Sequence, residues 1–198
     1  MHASSLRSGR LSRLAWLPLL LATAAPGLAH PGYHHLFSAS RGFAHPFSGW
    51  DHILALVAVG VWAAQRGTSR ALPALFLLAM AAGALAGHVT GVWPGLDQGI
   101  AASVFALGLL IATRTTVTNP VAYALVGLFA VFHGWAHGAE MPATAAGLSY
   151  GVGFLAASTL LIAGGVALGR EFGRRSAWLP MLGGATLAIG GLALAFGG

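Results

Sequence analysis

Two clusters of histidine and acidic residues interrupt an otherwise apolar and almost uncharged chain. They comprise His45, Asp51 and His52 in the first cluster, and His133, His137 and Glu140 in the second. Ionisable side chains are costly in hydrocarbon, so their recurrence within apolar segments is typical of a substrate or ion path. Imidazole and carboxylate are also ligands of divalent transition metals. The two clusters therefore predict a metal-ion site inside a membrane protein.

The composition indicates an integral membrane protein. Of the 198 residues, 57% are hydrophobic and 7% are charged, whereas a soluble domain carries about 25% charged residues. The chain has no cysteine, which excludes disulfides and thiolate metal sites. The net charge of +6 comes from scattered arginines, since the chain has no lysine. Arginines between apolar runs are typical of topology signals, so we expect a lipid bilayer rather than nucleic acid as the partner.

The N-terminal segment resembles a secretory signal. Arg7, Arg10 and Arg13 form a positive region, and a short apolar run, Leu14–Ala25, follows it. The small residues that end at Ala29 suit a cleavage site. We therefore expect residues 1–29 to be a cleavable signal peptide and residues 30–198 to be the transporter domain. The alternative is an uncleaved first helix, although the apolar run is short for a membrane span.

Six apolar segments follow this leader, each close to the ~20 residues that cross the hydrocarbon as a helix. The predicted fold is thus all-α, a polytopic bundle of six transmembrane helices. The predicted spans are Pro46–Gln65, Leu72–Val92, Asp97–Thr113, Val121–Met141, Ala143–Leu168 and Ala177–Phe196. The first is the weakest, because it can span only if Asp51 and His52 lie at membrane depth.

The arginines predict the orientation. Loops after the first, third and fifth spans carry Arg66, Arg70, Arg114, Arg170, Arg174 and Arg175. The loops on the other side carry none, and the N-terminal arm of the mature chain holds only Arg41. The positive-inside rule then places the arginine-bearing loops in the cytoplasm. We expect a bacterial inner-membrane protein with both mature termini in the periplasm.

The histidines of different spans share one depth. With a rise of about 1.5 Å per residue, five ionisable residues from three spans lie ~18–24 Å from the cytoplasmic ends of their spans. They are Asp51, His52, His88, His133 and His137. Asp97 and Glu140 fall near the outer ends. A site built from these residues would load from the periplasm.

Each cluster also has an interpretation without metal. His133, His137 and Glu140 lie on one helical face, yet histidines in a packed membrane helix also hydrogen-bond to neighbours. Asp51 can bind an ion or orient an imidazole, or it can cap a helix start. Because Asp51 and His52 are adjacent, only one of them need point inward. Which of the six residues are direct ligands stays open.

Two further residues are weaker metal candidates. His88 stands alone within the series Gly83, Gly87 and Gly91, whose spacing is typical of close helix packing. Asp97 begins a span, where a carboxylate also interacts favourably with the helix dipole.

An enzymatic alternative comes from Gly147–Gly151, which matches G-x-S-x-G around Ser149. In hydrolases this motif needs a strand-to-helix elbow, whereas here it opens an apolar helix. We therefore expect a protein that is not an enzyme, and an intramembrane serine protease that uses Ser149 is the weaker alternative. A further alternative is a membrane metal sensor or assembly protein, which would have the same outer site but would not transport the ion. The chain has no phosphate-binding loop for ATP hydrolysis.

The motifs resemble those of the HupE/UreJ family of bacterial nickel permeases, some of which serve hydrogenase or urease maturation. The resemblance rests on His45-x5-Asp51-His52 with the apolar run after it, on Phe132–Glu140, and on Pro94–Ser103. It implies uptake of nickel, or of cobalt, through the six motif residues of the two clusters. At the position of Asp97 we expect a glutamate in many relatives.

Together these observations predict a permease that imports a divalent transition-metal ion, foremost nickel, for metalloenzyme maturation. Ni²⁺ or Co²⁺ is then the transported substrate, and no permanently bound cofactor is expected. Rows of glycine residues suit helix contacts within one bundle or between copies of the chain, so a homo-oligomer is compatible with the sequence but is not predicted by it.

Overall fold

In the computed structural model, which describes residues 38–141, 145–176 and 178–196, the described chain contains helices and connecting segments but no strand. This confirms the all-α prediction. The predicted signal peptide, residues 1–29, lies outside the described residues. The helices are α1 (Ala39–Ala44), α2 (Trp50–Gln65), α3 (Ala71–Thr90), α4 (Leu96–Thr113), α5 (Asn119–Glu140), α6 (Ala145–Arg175) and α7 (Leu179–Phe196), with a 3₁₀ turn, His45–Phe47, between α1 and α2.

Five of the helices, α3 to α7, are long and apolar enough to cross a membrane. The first predicted span is instead broken, because α1 with its 3₁₀ turn meets α2 at an angle of 80°. The described chain therefore has six spans only if this bent pair counts as one. The helix of the fifth predicted span, Ala143–Leu168, continues past Leu168 to Arg175. An ion pair between Glu171 and Arg175, one turn apart, supports the extension.

The bend before α2 has a local cause. Pro46 lies in a 3₁₀ turn, whereas the first predicted span began at this residue as part of one continuous helix. Gly49 then adopts an extended backbone before α2 begins at Trp50. A Cβ on Gly49 would overlap the side chains of Asp51 and His52. The bend thus places His45 on one side of the break and Asp51 with His52 on the other.

Three helix pairs, α2–α6, α3–α5 and α4–α7, pack through glycine. At each such glycine, an added Cβ would overlap backbone atoms of the partner helix. These glycines include Gly60 and Gly165 in the first pair, Gly134 and Gly138 in the second, and Gly108 and Gly184 in the third. Small residues of this kind let membrane helices approach closely. The helices are consequently held backbone to backbone, which fixes the side chains beside each glycine.

The packing defines two ends of the bundle. Gly134 packs on Met80 and Gly138 packs on Ala84, so α3 and α5 run in the same direction. The start of α2 and the end of α5 meet through His52 and His137, and we name this the histidine end. At the opposite end, Arg66 after α2 donates a hydrogen bond of 2.9 Å to Asn119 at the start of α5. We name this the arginine end.

Gly138→Ala should destabilise the protein, because the new methyl group would overlap the Ala84 backbone. Overpacking of this kind lowers the free energy of unfolding by about 1–3 kcal/mol. Gly127→Ala on the same helix is the matched control, since nothing lies within 4 Å of its added Cβ. Thermal unfolding of the purified protein in detergent should show a lower midpoint only for Gly138→Ala. Equal midpoints for the two variants would contradict the glycine packing.

Candidate metal site

Three imidazoles converge at the histidine end. His45, His52 and His137 each offer one ring nitrogen, and these nitrogens all lie within 4.8 Å of one another. His45 comes from the 3₁₀ turn, His52 from the first turn of α2, and His137 from the last turn of α5. The structure therefore brings the two sequence clusters together across 85 residues. Such a spacing suits coordination of one cation by several imidazoles.

The closest contact in this group joins two ring nitrogens. Nε2 of His52 lies 2.6 Å from Nε2 of His137. On the other side of the His52 ring, Nδ1 lies 2.8 Å from Oδ1 of Asp51. A carboxylate at that position favours the proton on Nδ1, which leaves the lone pair of Nε2 facing His137. Two such nitrogens can share a proton or bind a cation.

Aromatic rings from α6 surround the imidazoles. The ring of Phe154 lies 4.6 Å from that of His137 and 5.9 Å from that of His45, and Tyr150 lies 5.8 Å from His45, centroid to centroid. Tyr150 and Phe154 are four residues apart, so they share one helical face. Neither Tyr150 nor Phe154 is among the site residues predicted from the sequence. Their i, i+4 spacing beside a glycine-rich helix start is compatible with a role in lining the site, but the same spacing is equally typical of ordinary helix packing.

His133 lies apart from the three converging imidazoles. It is four residues before His137, and thus about 6 Å further along α5 towards the arginine end. Its side chain is 2% exposed, and its Nδ1 is 2.8 Å from the carbonyl oxygen of Phe129. A carbonyl only accepts, so Nδ1 carries the proton in this contact. Nε2 of His133 is then a buried lone pair, with no hydrogen-bond partner among the described residues.

Glu140, Asp97 and His88 do not belong to the group of three. Glu140 is exposed as the last residue of α5, and Asp97 is exposed in the first turn of α4. His88 is also exposed, and its Nδ1 lies 3.1 Å from the carbonyl oxygen of Met141. It lines a cavity of about 620 Å³ between α3, α5 and α6, which His137 also lines. His88 therefore lies beside an opening that reaches His137, one of the three imidazoles.

The serine of the G-x-S-x-G pattern lies in a continuous helix. Ser149 is in the opening turns of α6, and its hydroxyl donates a 2.9 Å hydrogen bond to the carbonyl oxygen of Ala146. No hydrogen bond joins Ser149 to a histidine in the described part of the chain. The elbow and the neighbouring base of a hydrolase are therefore not assembled around Ser149 there.

The fold and site define a polytopic helical membrane protein with a polyhistidine site at one end of its bundle. The chain matches the HupE / UreJ protein family over residues 18–194, and it belongs to that family. It is 38% identical over 182 residues to Protein HupE of Rhizobium leguminosarum bv. viciae, an overlap that covers 90% of this chain and 95% of that protein. No solved structure matches the chain. The family resemblance of the motifs is thus confirmed.

Asp51→Asn should weaken nickel binding, because the amide keeps the size of the side chain but loses the charge that orients His52. Replacing such a partner of a metal-binding histidine costs about 10–100-fold in metal affinity. Calorimetric titration of Ni²⁺ into the detergent-purified protein measures this change. Ser149→Ala is the control and should bind like the wild type. Unchanged affinity in Asp51→Asn would show that the carboxylate does not support the site.

Proposed function

We propose that the protein is an inner-membrane permease that carries a divalent transition-metal ion, foremost nickel, from the periplasm to the cytoplasm for metalloenzyme maturation. The observation that carries this proposal is the convergence of His45, His52 and His137 at the break of the first span. Transporters build substrate sites at discontinuous helices of this kind, because the interrupted backbone makes room for polar groups at membrane depth.

The ligand chemistry supports a divalent ion of borderline softness. Imidazole nitrogen with a nearby carboxylate suits nickel, cobalt and zinc alike, since geometry rather than affinity separates these ions. Membership of the HupE/UreJ family supports nickel. The substrate is held by neutral side chains, with Asp51 as the adjacent negative charge. Such a site binds an ion without a full set of anionic ligands, which suits release as well as capture.

Other histidines suggest a route past this site. On the outer side, the cavity that His88 lines gives access to His137. On the inner side, the unpaired Nε2 of His133 offers the next nitrogen, one helical turn deeper. A binding site alone does not need a second buried imidazole at that depth. We therefore assign His133 to the inward step of transport, and this favours a permease over a sensor that only binds.

The arginines support inward transport. Arg66 and Arg114 close α2 and α4 at the arginine end, opposite the imidazoles. Arg174 and Arg175 occur in the last turn of α6, which runs parallel to α2. Under the positive-inside rule the arginine end faces the cytoplasm and the histidine end faces the periplasm. In this orientation α2 begins on the periplasmic side and α7 ends there.

The test is uptake of radioactive nickel by cells that express the chain, in competition with cobalt or zinc. His137→Ala should lose both uptake and nickel binding. His133→Ala should lose uptake but keep most of the binding to the purified protein, because it lies outside the three converging imidazoles. Ser149→Ala should transport normally, and a loss there would favour the protease alternative.

Each variant needs a measurement of its amount in the membrane, so that lost uptake is not mistaken for lost protein. Normal uptake in both histidine variants would overturn the site assignment. A wild-type protein that binds nickel but does not move it would instead indicate a sensor or assembly protein. Stronger competition by zinc or cobalt than by unlabelled nickel would count against nickel as the preferred substrate.

A further inference from the structure

A second cavity lies at the arginine end, far from the imidazoles. It has a volume of about 390 Å³ and is lined by the last residues of α2 and by the segment that closes α4. Its polar lining residues are Gln65, Arg66, Arg114, Thr115 and Thr116. Among the described residues that line it, none is acidic. The cavity therefore combines two guanidinium groups with amide and hydroxyl groups.

The guanidinium of Arg66 is held in place from two sides. Its central carbon lies 5.1 Å from the ring centroid of Trp62, a cation–π contact, and Trp62 is 1% exposed. Its Nη2 donates to Oδ1 of Asn119 at 2.9 Å. These contacts restrict the long side chain before any ligand arrives. A preorganised guanidinium loses less freedom on binding than a mobile one.

Two buried donors at this cavity lack partners. Nε of Arg66 and Nε2 of Gln65 are both buried, and neither has a hydrogen-bond partner among the described residues. A buried N–H that makes no hydrogen bond is unfavourable, so such groups call for a partner. Both nitrogens can only donate, and neither has surface open to the cavity, so the donors that face a ligand there are other groups of the lining.

Three helix ends meet around the cavity. The C-terminal ends of α2 and α4 carry partial negative charge and the N-terminal end of α5 carries partial positive charge, so the net positive charge of the lining comes from Arg66 and Arg114. Arg114 ends α4 in the left-handed conformation, with φ 52° and ψ 29°, which non-glycine residues seldom adopt. This conformation turns the chain, so that Thr115 and Thr116 line the cavity next to Arg114. The 22-residue helix α5 starts nearby, where Asn119 contacts Arg66. The N-terminus of a helix carries partial positive charge.

We propose that this cavity binds a phosphate-type oxyanion. Arginine donates through its planar fork to phosphate oxygens, and the threonine hydroxyls add further donors. The anion is either free phosphate from the aqueous phase or the phosphodiester of an anionic phospholipid headgroup. Its charge offsets the two arginines at the end of the bundle from which a transported cation would leave. Binding of the anion itself does not depend on metal transport.

The test compares the full chain in lipid nanodiscs of two compositions. In phosphatidylcholine nanodiscs, inorganic phosphate is titrated against chloride at constant ionic strength while the thermal midpoint is followed. A ligand that binds only the folded state raises this midpoint saturably. In nanodiscs that contain phosphatidylglycerol, the midpoint is measured without phosphate. A rise in the first arm identifies free phosphate, and a rise in the second identifies the lipid headgroup.

Arg66→Gln should lose the rise in whichever arm shows it. Arg70→Gln is the matched control, because Arg70 is an exposed arginine of the same inter-helix segment that does not line the cavity. It should respond like the wild type. If Arg66→Gln does not fold, Arg114→Gln decides, since that side chain is exposed and at the end of its helix.

Two results would overturn the proposal. One is the absence of any rise for the wild type in both arms. The other is an equal rise in Arg66→Gln and Arg70→Gln, which would indicate a general charge effect rather than a site.

Discussion

Two imidazoles from different helices meet nitrogen to nitrogen at the histidine end, where Nε2 of His52 lies 2.6 Å from Nε2 of His137. Two lone pairs cannot face each other at this distance in a low-dielectric interior, so a proton or a cation must lie between them. Asp51 favours the proton on the far side of the His52 ring, which turns Nε2 towards its neighbour. The break before α2 brings in His45, and α6 supplies aromatic walls.

Glycine makes this contact attainable. Lipid tails are as apolar as the helices, so hydrophobic burial does little to join membrane helices, and close packing must do so instead. In α5, Gly134 and Gly138 directly follow His133 and His137. The glycines pack against the backbone of α3, while the histidines occupy the adjacent helical face. The repeated His-Gly pair is therefore a packing motif, and under the proposed function it also supplies imidazoles to the ion. Its spacing of four residues serves both purposes, because one helical turn separates the members of each kind.

Much of this arrangement could be predicted from the sequence, and the failures have physical reasons. The spans from α3 to α7 agree with predictions from apolar length, apart from the end of α6. The break at Pro46 to Gly49 was missed, because a proline at a helix start and a proline at a bend share the same local pattern.

Periodicity shows that His133, His137 and Glu140 share a face of α5, but it cannot show where the bundle ends along that face. Glu140 thus lies exposed at the helix end, while His137 contacts α2. Adjacent positions on a helix did not show how Asp51 and His52 divide their roles; in the structure His52 joins the imidazoles and Asp51 contacts its ring. The contacts of Tyr150 and Phe154 with the imidazoles depend on the packing of α6 against α2, which no local sequence pattern encodes.

X-ray absorption at the nickel edge of the loaded wild-type protein tests the central claim most directly, because imidazole rings give a characteristic multiple-scattering pattern. We expect several imidazole ligands on nickel in the wild type, and loss of this imidazole-bound nickel in His137→Ala. A shell of oxygen ligands alone, or a spectrum that His137→Ala leaves unchanged, would contradict the assignment of His45, His52 and His137 as the metal site.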